Sequence, residues 1–347
     1  MTMTFTDGLT DYLLSLRAKE HPSIPAVLRW ALLSNGLAAS DGSVVFFGFE
    51  DASSVPTLVV KAPRLPENAW SLQIEYDRLV ELWSLLGDAA IYRLPQPVAM
   101  TKINGTPALI TTYLRGENFL RVTRDALWGN PEHILALAID VAESWRGIMD
   151  STATMLEAGE QVPTDFRRKI EKFQQMYKLD NREKQIVKKV LADVETAAKS
   201  AHRKILLQGD FWHGNMIRNE EHGKLMFIDW QYSRWSTDVS LDVYLFLLAG
   251  SLSAVRSKNP EEKAGRAAQT LKQWNEKIIP AYLSAFGKPD GYGLLPLKTG
   301  MLMCCIEKAV RESIDFGVDQ GSDIIWRHLF AKLSDWQSDD GWLAGIG

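Results

Sequence analysis

Cysteine is scarce in this chain: Cys304 and Cys305 are the only two in 347 residues, and they are adjacent in an apolar stretch. Neighbouring cysteines cannot staple distant parts of a fold. No Cys/His group has zinc-ligand spacing either, so a disulfide scaffold and a zinc finger are both excluded. The pair reads as two small hydrophobes buried on a helix. Charge of one sign is also lacking, with 39 Lys and Arg against 43 Asp and Glu for a net charge of −4. That balance argues against a nucleic-acid partner, whose phosphates demand a basic face. The densest basic run, Arg167-Arg168-Lys169, is followed by Glu171 and reads as a solvated helix face. Long hydrophobic runs are missing as well: Val243 to Ala249 is too short to span a bilayer. The opening MTMTFTDGL has neither the positive nor the apolar region of a secretory signal. The expectation is a cytoplasmic protein with no membrane partner.

What is present is an ordinary globular balance, 46% apolar and 24% charged, over a length that exceeds one typical core. Strand signals dominate the first third. Ser43 to Phe49 and Thr57 to Val60 are rich in β-branched and aromatic residues and are separated by a polar turn around Asp51 to Ser54. From Trp70 to Leu86 the apolar positions Leu72, Tyr76, Leu79, Val80, Trp83 and Leu86 recur at helical spacing. Two further strands follow, Gln96 to Met100 and Pro107 to Tyr113, joined at the turn signal Ile103-Asn104-Gly105-Thr106. Beyond Arg115-Gly116 the pattern changes to helices: Pro131 to Met149, Glu183 to Ala198, from Leu241, Lys263 to Phe286, Pro296 to Ile314, and on to Ser334. Short strands interrupt near Lys204 to Leu207 and Leu225 to Ile228. The simplest architecture is α+β in two lobes: a small β-rich lobe over 1–113, a hinge near Tyr113, and a larger, mainly helical lobe over 114–347.

The segment richest in chemistry is LLQGDFWHGNMIRNEEHGKLMFIDWQ, residues 206–231. Asp210 is followed five residues later by Asn215 in a polar loop after a short apolar strand. A second apolar strand ends in Ile228-Asp229-Trp230. Phosphoryl transfer to a hydroxyl asks little covalent chemistry of a protein. It needs a carboxylate facing the acceptor hydroxyl and hard oxygen ligands for magnesium. An aspartate and an asparagine at this spacing can serve both needs from one loop, and a second aspartate can complete the metal site. Taken singly, such aspartates are more often turn residues or strand ends. Trp212 and His213 read as a packed aromatic and a loop histidine.

These residues resemble the catalytic loop and metal motif of the aminoglycoside phosphotransferase and choline kinase superfamily, relatives of the protein kinases. GDFWHGNM, IDWQYSR, Asp238 and Leu241-Asp242 are most similar to its ecdysteroid-kinase-like branch. The resemblance implies a protein-kinase-like two-lobed fold, with Asp210 as catalytic base and Asn215 and Asp229 on Mg2+. It also implies ATP as cofactor and a small-molecule hydroxyl acceptor as partner. A lysine for the nucleotide phosphates is expected on a strand of the first lobe, oriented by a helical carboxylate. Lys61 ends the apolar run Leu58-Val59-Val60. The following helix offers Glu75 and Glu81, of which Glu75 fits the family's spacing better. The turn Ser34-Asn35-Gly36 precedes the first strong strand, where Asn35 and Gly36 could let backbone amides approach phosphates. An ordinary turn explains it almost as well, since no repeated-glycine or Walker pattern is present. Adenine would lie against the hinge segment Thr111-Thr112-Tyr113-Leu114, with Thr112 and Leu114 as its backbone readers.

The sequence departs from the family where a histidine usually stands two residues before the catalytic aspartate: here it is Gln208. Glutamine can donate and accept, so it can brace the loop but cannot carry a charge. Asp242 is expected to support the same loop as a structural acid. Two other readings stand beside the leading one. The acceptor could be cationic, of aminoglycoside or choline type, drawn by Asp315, Asp319 and Asp323. Alternatively, the chain could be a non-catalytic nucleotide-binding pseudokinase.

Overall fold

The computed structural model describes residues 4–19, 24, 28–34, 42–129, 131–157, 160, 162, 165–287, 290–315 and 324–336. Asn35 and Gly36, together with Asp319 and Asp323, lie outside the described residues. The chain divides into two compact units, Met1–Arg115 with Phe227–Tyr232, and Gly116–Met226 with Ser233–Gly347.

The first unit opens with α1 (Phe5–Lys19), followed by β1 (Leu28–Ser34), β2 (Ser43–Glu50), β3 (Pro56–Pro63), α2 (Ala69–Leu86), β4 (Pro97–Ile103) and β5 (Thr106–Thr112). The strands form one five-stranded sheet in the order β1-β2-β3-β5-β4, with antiparallel pairing throughout. Alternating side chains fall on opposite faces of such a sheet. Leu58, Val60, Ala99, Ala108 and Ile110 pack with Leu9 and Leu13 of α1 in a buried core. Strand β1 is an addition to the sequence reading. It lies at the sheet edge, and its Leu32 and Leu33 are exposed, so it lacks the alternation that marks a strand. The β4–β5 turn is tight: Asn104 and Gly105 have φ of 50° and 83°, the left-handed pair of a type I′ hairpin.

Helix α2 buries Leu72, Glu75, Leu79 and Leu82, a stripe at three- and four-residue spacing. The expected stripe was broader. Val80, counted within it, is 44% exposed, and a carboxylate, Glu75, occupies the buried face instead.

The second unit contains β6 (Gly116–Asn118), α3 (Phe119–Gly129), α4 (Pro131–Thr152), β7 (Thr154–Met155), α5 (Phe166–Met176), α6 (Asn181–Ser200), β8 (Arg203–Leu207), β9 (Met216–Asn219), β10 (Leu225–Phe227) and β11 (Arg234–Ser236). It closes with α7 (Ser240–Ser253), α8 (Pro260–Trp274), α9 (Ile278–Phe286), α10 (Leu297–Asp315) and α11 (Ile325–Ser334). Helix α6 starts at a capping box, in which Asp180 and Glu183 satisfy each other's backbone N–H groups. Helix α7 is buried along nearly its whole length, with contacts to α8 and α10. The single helical stretch expected over Lys263 to Phe286 is in fact two helices. Pro280 cannot donate a backbone hydrogen bond, so the chain breaks after Trp274 and restarts with Pro280 in the first turn of α9.

The basic run on α5 is only partly a solvated face. Arg167 is exposed, but Lys169 is 19% exposed and pairs at 2.7 Å with Glu307, itself 5% exposed, on α10. Cys304 and Cys305 are free and fully buried on that same helix, as their apolar surroundings predict. Among the described residues no helix is long and apolar enough to cross a membrane.

Candidate functional site

In the first unit the geometry centres on Lys61. Strand β3 places it opposite Val45 on β2 and Leu109 on β5. Its ammonium donates to both Glu75 carboxylate oxygens at 2.8 Å and to Asp229 Oδ1 at 3.0 Å. Burial alone would lower the Lys61 pKa, but the negative charges of Asp229 and Glu75 outweigh it and hold the amine firmly protonated. Burial pushes the Glu75 carboxyl upward, against the pull of Lys61 and of the Trp230 backbone N–H. Glu81, the competing carboxylate on α2, pairs instead with Arg78 at 2.5 Å. Asp229 has φ of 65°, a left-handed conformation costly for a residue with a Cβ. Its neighbour Trp230 is fully buried and donates its indole N–H to Phe227 O at 3.1 Å. The strained turn therefore rests on a packed anchor and delivers a carboxylate to the half-buried Lys61.

The segment Thr111 to Leu114 continues β5 out of the sheet. Thr112 N–H donates to Gln96 O and its hydroxyl accepts Gln96 N–H, both at 2.9 Å. Tyr113 N–H donates to Thr57 O at 2.9 Å. Among the described residues, no hydrogen bond of this segment uses the N–H or C=O of Leu114. A reader of a purine edge needs such uncommitted backbone groups.

In the second unit the loop after β8 carries Asp210. Gly209 precedes it with φ of 79°, a turn that favours glycine. Asp242, in the first turn of α7, accepts the backbone N–H of Gln208 at 2.8 Å and of Gly209 at 2.9 Å. Gln208 Oε1 in turn accepts Asp210 N–H at 2.8 Å. Burial pushes the Asp242 carboxyl up to about 7, against these two backbone donors and Arg234. Phe211 wedges under the loop, its ring 4.4 Å from Trp145. A short 3-10 turn, His213–Asn215, follows. His213 is buried, 2.9 Å from Ser253 Oγ, and burial pushes its imidazole down to about 4. It is thus a neutral packed residue, as a loop histidine reads.

Asn215 Nδ2 donates to Asp210 O at 3.0 Å and to Asp210 Oδ2 at 3.3 Å. Those two bonds assign the amide nitrogen to Asp210 and leave the carbonyl oxygen as the acceptor end. Two residues not singled out in the sequence also reach Asp210. Lys308 Nζ stands 3.1 Å from Asp210 Oδ1, and Arg311 Nη2 bonds the same oxygen. Burial alone would raise the Asp210 carboxyl, but Arg311 and Lys308 hold it well below the usual carboxylate range. The sequence carried no signal for this pair, because basic residues three apart on a helix are commonplace.

Among the described residues no three His, Cys, Asp or Glu side chains gather as a metal cage. Magnesium seldom uses one: it keeps waters and binds one or two carboxylates plus phosphate oxygens. Asn215 and Asp229, each in its own unit, carry the type of hard oxygen donor that mode uses.

The fold is that of the protein-kinase-like phosphotransferases, an antiparallel sheet with α2 followed by a mainly helical remainder. The chain belongs to the phosphotransferase enzyme family APH, which matches over residues 37–282. It is similar in structure to the aminoglycoside phosphotransferase APH(3'')-Id from Streptomyces rimosus ATCC10970 in complex with ADP and streptomycin. That likeness has a TM-score of 0.51 at 13% identity and covers 87% of this chain and 98% of that one. A second structure of the same protein matches with TM-score 0.48, also at 13% identity and with the same coverage, 87% and 98%. No curated protein matches the chain in sequence. The family match does not single out the ecdysteroid-kinase-like branch.

Proposed function

We propose that this protein transfers the γ-phosphoryl group of ATP, with Mg2+, to a hydroxyl of a small molecule. The observation that carries the reading is the Lys61 ammonium held between Glu75 and Asp229, at 2.8 and 3.0 Å. A half-buried lysine kept charged by two carboxylates is equipped to grip nucleotide phosphates. Membership of the phosphotransferase family supports it, as does the ADP named with the structural relative.

In this reading Lys61 orients the phosphates, Glu75 positions Lys61, and Leu114 offers its backbone groups to the adenine. Asp229 is the metal ligand on the nucleotide side and Asn215 a further one. Bound magnesium would neutralise phosphate charge as the β–γ bond breaks. Asp210 accepts the hydrogen bond of the acceptor hydroxyl and orients it for in-line attack. Its depressed basicity suits an orienting role, because a loose phosphoryl-transfer transition state needs little proton removal. We take residues 1–113 as the nucleotide-binding lobe and 114–347 as the lobe that carries Asp210 and the acceptor.

The deciding experiment is calorimetric titration of ATP with and without magnesium, on wild type and on Asp229→Ala, beside turnover of Asp210→Asn. The expected outcome is magnesium-dependent binding that collapses in Asp229→Ala. In Asp210→Asn, binding should persist while turnover falls at least ~100-fold. A folded wild type that binds neither ATP nor GTP would overturn the reading.

A further inference from the structure

The second unit surrounds Asp210 with positive charge. Arg311 Nη2 and Lys308 Nζ share its Oδ1, and Arg311 Nη1 also donates to Gly209 O at 3.1 Å. The two cations lie three residues apart and so share a face of α10. Glu307, one position earlier, is gripped at 2.7 Å by Lys169 on α5 and at 2.7 Å by Arg234 on β11. That grip fixes the rotation of α10, so Lys308 and Arg311 are held toward the loop rather than merely resting there. The Asp210, Lys308 and Arg311 side chains are 14%, 11% and 14% exposed, which leaves the cluster open to solvent on a small part of its surface. Trp326 lines it: the Lys308 ammonium lies 5.6 Å from its ring, and its indole N–H donates to Glu312 at 2.6 Å. Glu312, one turn along α10, stands 3.5 Å from Lys308.

This is an odd environment for a carboxylate meant to receive an alcohol. Both cations compete for the oxygen the hydroxyl needs, and a cationic acceptor would meet like charge there. An acceptor with its own carboxylate relieves both conflicts. Its anion can replace Asp210 as counter-ion to Lys308 and Arg311, whose planar fork matches a carboxylate. Asp210 then turns its freed oxygen to the hydroxyl.

We propose that the acceptor is a hydroxy acid, whose carboxylate is received by Lys308 and Arg311 while its hydroxyl faces Asp210. The proposal rests on the phosphotransferase reading of Asp210. In the transfer, the acceptor oxygen forms a bond to the γ-phosphorus as the bond from that phosphorus to the bridging oxygen breaks. ADP leaves with the bonding pair, and the hydroxyl proton passes through Asp210 to solvent.

The test is binding without nucleotide, followed by calorimetry for 3-hydroxypropanoate, glycerate and gluconate, each beside its neutral amide. We expect wild type to bind at least one acid ~10-fold or more tighter than its amide, the scale of one charge-assisted contact. Arg311→Gln and Lys308→Met should each erase the preference, whereas Lys308→Arg should retain it. Thermal unfolding identifies variants that fail to fold, and the wild-type ratio decides even if they do. Equal binding of acids and amides by wild type overturns the proposal. So does turnover in Arg311→Gln that falls equally on acids and amides, because the cations would then serve the transferred phosphoryl group. Acid binding without phosphoryl transfer to any alcohol would leave the anion site standing and sink the kinase reading instead.

Discussion

Gln208 holds Asp210 through its side chain, its Oε1 accepting the Asp210 backbone N–H at 2.8 Å. The family's usual histidine is absent here, yet the loop it would brace is tied from both sides. Gln208 grips Asp210, two residues on, and Asp242 grips Gln208 and Gly209 from α7. Loss of the imidazole therefore does not by itself point to a pseudokinase.

The brace is testable. Gln208→Leu keeps the volume and removes the acceptor, leaving a largely buried N–H unmet at a cost of about 1–3 kcal/mol. Urea denaturation should show that loss, and turnover should fall with it because Asp210 loses its fixed position. A variant as stable and as active as wild type would remove the brace.

The Lys61 cluster predicts coupled effects. Lys61→Ala should weaken ATP binding at least ~10-fold, about 1.4 kcal/mol. It also strands Glu75, whose side chain is 3% exposed, so stability should drop by about 3–5 kcal/mol. Removing both partners together, in Lys61→Met with Glu75→Leu, should cost less than the sum of the single changes. A double-mutant cycle with no coupling energy would contradict the observed pairing.

Glu307 predicts sensitivity to acid. Burial would raise its carboxyl, but Arg234 and Lys169 outweigh that and hold it well below its ordinary range. Its contribution is therefore full above the unfolded value near 4.5 and is lost as pH falls through the lower folded value. Glu307→Gln strands two cations and should cost about 3–5 kcal/mol at pH 7. The deficit against wild type should shrink in acid, read as denaturation midpoints from pH 7 to pH 3.

His213 has the opposite charge but the same pH sign. Burial lowers its imidazole from 6.5 to about 4, so the unfolded chain takes up the proton first as pH falls. The resulting stability is complete above pH 6.5 and declines by about 3 kcal/mol toward pH 4. Burial drives Asp238 and Asp242 up to about 7, and those carboxyls work in the other direction, costing stability as pH rises from 4 to 7. The wild-type curve sums these with the other shifted groups, Glu307 among them. The difference between wild type and His213→Gln isolates the histidine: the gap should narrow as pH falls, and a constant gap would mean His213 does not titrate there.

Much of the fold was readable because its periodicities are local. Strands β2, β3, β4 and β5, helix α2 and the Asn104-Gly105 turn follow from alternation, helical spacing and turn chemistry. Strand β1 escaped because an edge strand with an exposed apolar side has no alternation to read. Reading 263–286 as one helix overlooked the break before Pro280, because helical texture extends through a proline that tolerates only the first turn. The motif residues Asp210, Asn215 and Asp229 stood out because their spacing belongs to one short segment, and Lys61 because a surface lysine seldom ends an apolar strand.

The sequence by itself determined the family, the α+β class and the residues of the loop motif, since each is written in neighbours along the chain. The family's spacing already favoured Glu75 over Glu81, but only the tertiary structure decided that Asp229 joins Glu75 on Lys61. It alone revealed that Lys308 and Arg311, almost a hundred residues further on, converge on Asp210. Such pairings depend on which face of a helix is buried and on what packs against it. That is a balance of burial and charge across distant segments, and no local pattern encodes it.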